Sequence, residues 1–98
     1  MKLTGLLPIL AATLVLALPA GADEPTPLIA QGCAGCHGQA GEGAGSVPDI
    51  AGYDREAFVQ TWAEFREGER FATIMTRIAR GYTDEEVAEL ADYFSSLR

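Results

Sequence analysis

Cys33 and Cys36 stand two residues apart with His37 directly after them, and the 98-residue sequence contains no other cysteine and no other histidine. Any cross-link or metal centre that uses these side chains has to be built on this one cluster. A disulfide between the two cysteines would close a loop too short to constrain much of the unfolded chain. A structural zinc site takes about four ligands, and the cluster offers three. A redox dithiol of the thioredoxin kind sits in a strand–helix–strand setting, and no period-2 alternation surrounds Cys33.

The remaining chemistry for Cys-x-x-Cys-His is covalent attachment of haem c. On a helical turn, positions 33, 36 and 37 are i, i+3 and i+4, so both sulfurs and the imidazole project from one face. The thiols can then add to the porphyrin vinyl groups while His37 coordinates iron. Size makes such a cofactor useful. Met1 and Lys2 lead into an apolar run from Leu6 to Leu18 and then Pro19-Ala20-Gly21-Ala22, the pattern of a cleaved secretory signal peptide. The run is shorter than the ~20 residues of a spanning helix and contains Pro8. Residues 1–22 are therefore expected to be removed, residues 23–98 to form one exported, periplasmic domain, and the cofactor to supply much of a core that domains below roughly 70 to 80 residues seldom build alone.

Charge excludes several partners. The chain carries 14 acidic and 7 basic residues for a net charge of −7, and loss of Lys2 makes the remainder −8. Phosphate backbones are bound by neutralising Lys and Arg, so a nucleic-acid surface is excluded, and a polybasic membrane patch with it. An acidic surface of this kind steers encounter with a basic partner.

Six-coordinate iron needs a second axial ligand. Lys2 and Met1 leave with the leader, so Met75 is the one thioether in residues 23–98; its other reading is a flexible core filler. Between the two lies Gly38 to Gly52, which lacks the strand and lysine of a nucleotide loop and reads as a loop wrapping the haem. Pro48 and Ile50 are its inward points, and a carbonyl near Pro48 can accept the ring N–H of His37; simple turn rigidity is the alternative for Pro48.

The helices announce themselves locally. Thr26-Pro27 reads as an N-cap with proline in the first turn of a helix entering the cysteine pair. Asp54 caps a second helix reaching Glu67, with Gly68 beyond it. Phe58, Trp62 and Phe65 form its apolar stripe, and Trp62 is a candidate donor to a haem propionate. Arg66, Arg70 and Arg77 either pair with propionates or are solvated. Thr83 and Glu86 fit a capping box for a last helix whose apolar face is Val87, Leu90, Ala91, Phe94 and Leu97. That helix is expected to cross the first at Gly32, beneath Tyr93 or Phe94. No strand pattern occurs, so the fold class is all-α.

These residues resemble the monohaem class I c-type cytochromes: Cys33-x-x-Cys36-His37, a glycine loop, Pro48-x-x-x-Gly52, Phe65-Arg66-x-Gly68, Met75 and a Thr83-capped last helix. The resemblance runs over essentially all of residues 23–98. It implies helices wrapped around one covalently attached haem, Cys33 and Cys36 as attachment points, His37 and Met75 as axial ligands, and electron transfer by Fe(III)/Fe(II) cycling. Within the family, residues 74–83 look most like the cytochrome subunit of flavocytochrome c sulfide dehydrogenase, which implies an FAD-containing, sulfide-oxidising partner subunit. Residues 65–68 and the capped last helix are also similar to free periplasmic cytochromes that carry electrons to terminal oxidases. The alternative of another class is a five-coordinate haem with peroxidase or gas-binding activity, although no second His is available to serve it.

Overall fold

The computed structural model describes residues 2, 4–5, 8, 11–16 and 25–97. The Pro19–Ala22 cleavage signal lies outside them. Residues 11–16 have no regular secondary structure, and Leu14, Val15 and Leu16 are exposed. Among the described residues no helix is long and apolar enough to cross a membrane.

Four helices make up an all-α fold: α1 (Leu28–His37), α2 (Arg55–Glu67), α3 (Met75–Ala79) and α4 (Asp84–Ser96). Among the described residues the one departure is an isolated bridge between Ala44 and Val47. The two long helices follow their local signals. Asp54 caps α2 by accepting from the Ala57 amide at 3.0 Å, and Gly68 closes it in the left-handed conformation. Thr83 and Glu86 form the capping box of α4, with side-chain bonds of 3.2 and 2.9 Å to each other's amides.

α1 departs from expectation at its start. Pro27, not Thr26, occupies the cap position, and no side chain caps the helix. The Thr26 hydroxyl lies instead 3.1 Å from that of Tyr93, tying the entry of α1 to the end of α4. α3 is a helix that no local signal announces. The residue approaching Gly32 also differs: a Cβ there would meet the Tyr82 hydroxyl at 3.8 Å. Phe94 stands over Gly41, where a Cβ would lie 3.1 Å from its ring.

The core is where α2 meets α4. Phe58 stacks on Trp62 and on Phe94, each at 5.9 Å between centroids, and takes Tyr53 edge-on at 6.1 Å. Aromatic pairs of this kind add roughly 0.5–1.5 kcal/mol each beyond area burial. Val87, Leu90, Ala91 and Phe94 form the buried face of α4, with Leu90 and Ala91 fully enclosed. α3 packs on α2, and α1 on α4, so α1, α2 and α3 face one another across a hollow.

Candidate functional site

That hollow is a cavity of about 610 Å³, open on one side and walled mainly by apolar side chains. α1 contributes Gly32, Cys33, Cys36 and His37, one face of its last turn. α2 contributes Phe58, Trp62 and Phe65. Residues 46–50 and 70–75 supply two further walls, and Met75 and Ile78 reach in from α3. Cys33, Cys36, His37, Pro48, Trp62 and Met75 thus border one space.

The loop after α1 sets the orientation of His37. The Gly43 amide donates to the His37 carbonyl, and the Ile50 and Ala51 amides both donate to the Gly41 carbonyl at 2.8 and 3.0 Å. Gly43 adopts φ +76, and a Cβ there would meet the Asp49 nitrogen and the Val47 oxygen at 2.7 Å, so only glycine fits. The loop so folded brings the Pro48 carbonyl to 2.7 Å from His37 Nδ1. A carbonyl only accepts, so Nδ1 carries the proton and Nε2 is left with its lone pair. His37 itself is 8% exposed.

Neither cysteine is in a disulfide; Cys33 is half-buried and Cys36 exposed. Burial pushes the Cys33 thiol above its ordinary value.

Trp62, Arg66 and Arg70, near the cavity, are each already partnered. The Trp62 indole, a candidate propionate donor, instead gives its N–H to the Ala79 carbonyl at 3.1 Å. That carbonyl ends a short helix in a buried position and needs a donor more than solvated propionates do. Arg66 bonds Asp84 Oδ1 at 2.7 Å and the Tyr82 carbonyl at 3.1 Å. Arg70 pairs with Glu64 at 2.7 Å and lies over the Phe65 ring. Arg77 is exposed on α3. Sequence reasoning missed one pair on the cavity wall, the Tyr53 and Thr61 hydroxyls 3.2 Å apart. Its only signal was the α2 stripe passing Thr61 beside Trp62.

Two thiols, an oriented imidazole with a free Nε2 and a thioether around one apolar space form a donor set suited to a covalently held haem. The class defined by this fold and site is that of small all-α haem proteins. The chain belongs to the cytochrome c family, whose pattern matches residues 26–98, and its cofactor is covalently bound haem c. It is 39% identical over 70 residues to the cytochrome subunit of sulfide dehydrogenase of Chlorobaculum tepidum, covering 71% of this chain and 64% of that one. It is 34% identical over 68 residues to cytochrome c-554(548) of Halomonas halodenitrificans, covering 65% of this chain and 82% of that one. The solved structure of Acidithiobacillus ferrooxidans cytochrome c4 superposes with a TM-score of 0.64 at 38% identity, covering 66% of this chain and 38% of that one. The chain thus spans a little under two thirds of the sulfide dehydrogenase subunit and well under half of cytochrome c4.

Proposed function

We propose that the chain is a one-electron carrier whose haem is bonded through Cys33 and Cys36 and ligated by His37 Nε2 and the Met75 thioether. The observation that carries the reading is the convergence of these four side chains on one apolar cavity, with the His37 proton held at Nδ1 by the Pro48 carbonyl. The haem supplies a metal centre that gains and loses one electron without making or breaking a bond to substrate. Everything else is the work of the chain. Pro48 fixes the tautomer and ring plane of His37, so no proton moves when charge does. Phe58, Trp62 and Phe65 give the cavity wall its apolar surface. A thioether from Met75 and an apolar surround would both favour the less charged ferrous state and raise the potential.

Among the described residues lining the cavity, Asp49 and Arg70 are the acidic and basic side chains, and Arg70 is paired with Glu64. For the partner, the 39% identity to a sulfide dehydrogenase subunit and the similar segment Ile74–Thr83 support an FAD-bearing, sulfide-oxidising subunit as electron donor, met in the periplasm after export.

The visible spectrum of the reduced protein with and without carbon monoxide tests the axial pair. A low-spin c-type spectrum unchanged by carbon monoxide is expected; ready binding of the gas would reject Met75 as a ligand. Reduction by sulfide only when a copurifying flavoprotein is present tests the partner.

A further inference from the structure

Met75 opens a helix that cannot stand alone. α3 has five residues, starts at Ile74 without a side-chain cap and buries only Ala79. So short a helix has no stability of its own in water, because nucleation costs more than one turn returns. Its place is set from outside, and the bonds that set it come from α2. The Trp62 indole donates to the Ala79 carbonyl at 3.1 Å, with Trp62 5% and Ala79 0% exposed. One turn along, Arg66 holds the Tyr82 carbonyl at 3.1 Å and Asp84 at 2.7 Å, and Arg80 Nε returns to the Arg66 carbonyl at 3.4 Å. The Tyr82 ring closes the brace, edge-on to Trp62 at 5.2 Å. α2 is capped at both ends, so it is the fixed side and residues 79–84 are the held side.

We infer that Trp62, seconded by Arg66, is a positioning residue for the Met75 thioether, its bond to Ala79 deciding how firmly the sulfur is kept at the metal. The inference rests on the reading of Met75 as axial ligand. The Ala79 carbonyl is enclosed, so without the indole it has neither partner nor water. α3 relieves this by shifting the carbonyl outward, and Met75, one turn away on the same short helix, moves with it. Another ligand for ferric iron then competes more easily with the thioether.

The test uses the haem-loaded protein with Trp62→Phe, Met75→Ala and the double variant. Trp62 is the one tryptophan in the sequence, so biosynthetic replacement by benzothienylalanine gives a second form that keeps the ring shape and lacks the donor. Imidazole affinity of the ferric protein, reduction potential and melting temperature are measured for each. Loss of the donor is expected to tighten imidazole binding about tenfold and to lower the potential, in both the Phe and benzothienylalanine forms. In the Met75→Ala background the Trp62 change is expected to leave imidazole affinity unaltered. A lower melting temperature with affinity and potential unchanged would overturn the inference, leaving Trp62 a packing role alone. An equal Trp62 effect without Met75 would also overturn it. If Met75→Ala by itself does not alter imidazole affinity, the axial reading fails first and the inference falls with it.

Discussion

Removing the haem should unfold the domain, and the cavity sets the scale. Interiors left empty cost about 24 cal/mol per Å³ in proteins whose cores lose side chains, so a void of about 610 Å³ corresponds to ~15 kcal/mol. The cavity is open on one side and admits water, which makes that figure an upper limit. Native stability runs at roughly 0.05–0.15 kcal/mol per residue, or ~4–11 kcal/mol for a domain the size of residues 25–97. Even half of the cavity cost falls within that whole range. The Cys33→Ala/Cys36→Ala variant, purified without haem, is expected to show little helical circular dichroism at 25 °C and no cooperative melt. Added haem, captured by His37 and Met75 without thioether bonds, should restore part of the helix signal. A haem-free chain with the helix content of α1 to α4 and a sharp thermal transition would refute the reasoning, because the aromatic core of α2 and α4 would then suffice.

Other substitutions separate the parts. Gly43→Ala places a methyl group 2.7 Å from the Val47 oxygen in a left-handed backbone, and should cost at least ~2 kcal/mol, seen as a melting-temperature loss of roughly 8–16 °C. Gly45→Ala, at φ +59 with open space around it, should cost about half as much; equal losses would mean that the contacts at Gly43 do not matter. Thr83→Ala removes the α4 cap and should cost ~1 kcal/mol in thermal denaturation while leaving the haem spectrum unchanged. Asp92→Ala breaks an exposed pair with Arg55 and should move stability by less than ~0.5 kcal/mol in the same assay. Electron transfer to a freely diffusing basic protein should slow as salt rises, and a flat profile would dismiss a steering role for the acidic surface.

The elements readable from sequence are those whose boundaries are written in neighbouring residues. Asp54, Thr83 and Glu86 accept from amides within a few positions, and Gly68 donates to the last carbonyls of α2, so α2 and α4 could be bounded from the chain alone. α3 could not, because Ile74 offers no cap and Thr76 and Ile78 are β-branched. Its end is met by Trp62 from 17 residues away, through the same bond that withdraws the indole from a propionate. Thr26 misled for a similar reason, its hydroxyl being engaged by Tyr93 across 67 positions. At the site, the one-face placement of 33, 36 and 37 follows from spacing, and all three line the cavity. The Tyr53–Thr61 pair could not be read, since it depends on how the chain turns into α2.

The contact of Thr26 with Tyr93 has an architectural consequence. It brings Thr26, at the entry of α1, beside Tyr93 in α4, two elements far apart in the sequence. A hydroxyl pair across 67 positions closes the folded unit on itself, so its first turn is tied down rather than left to fray.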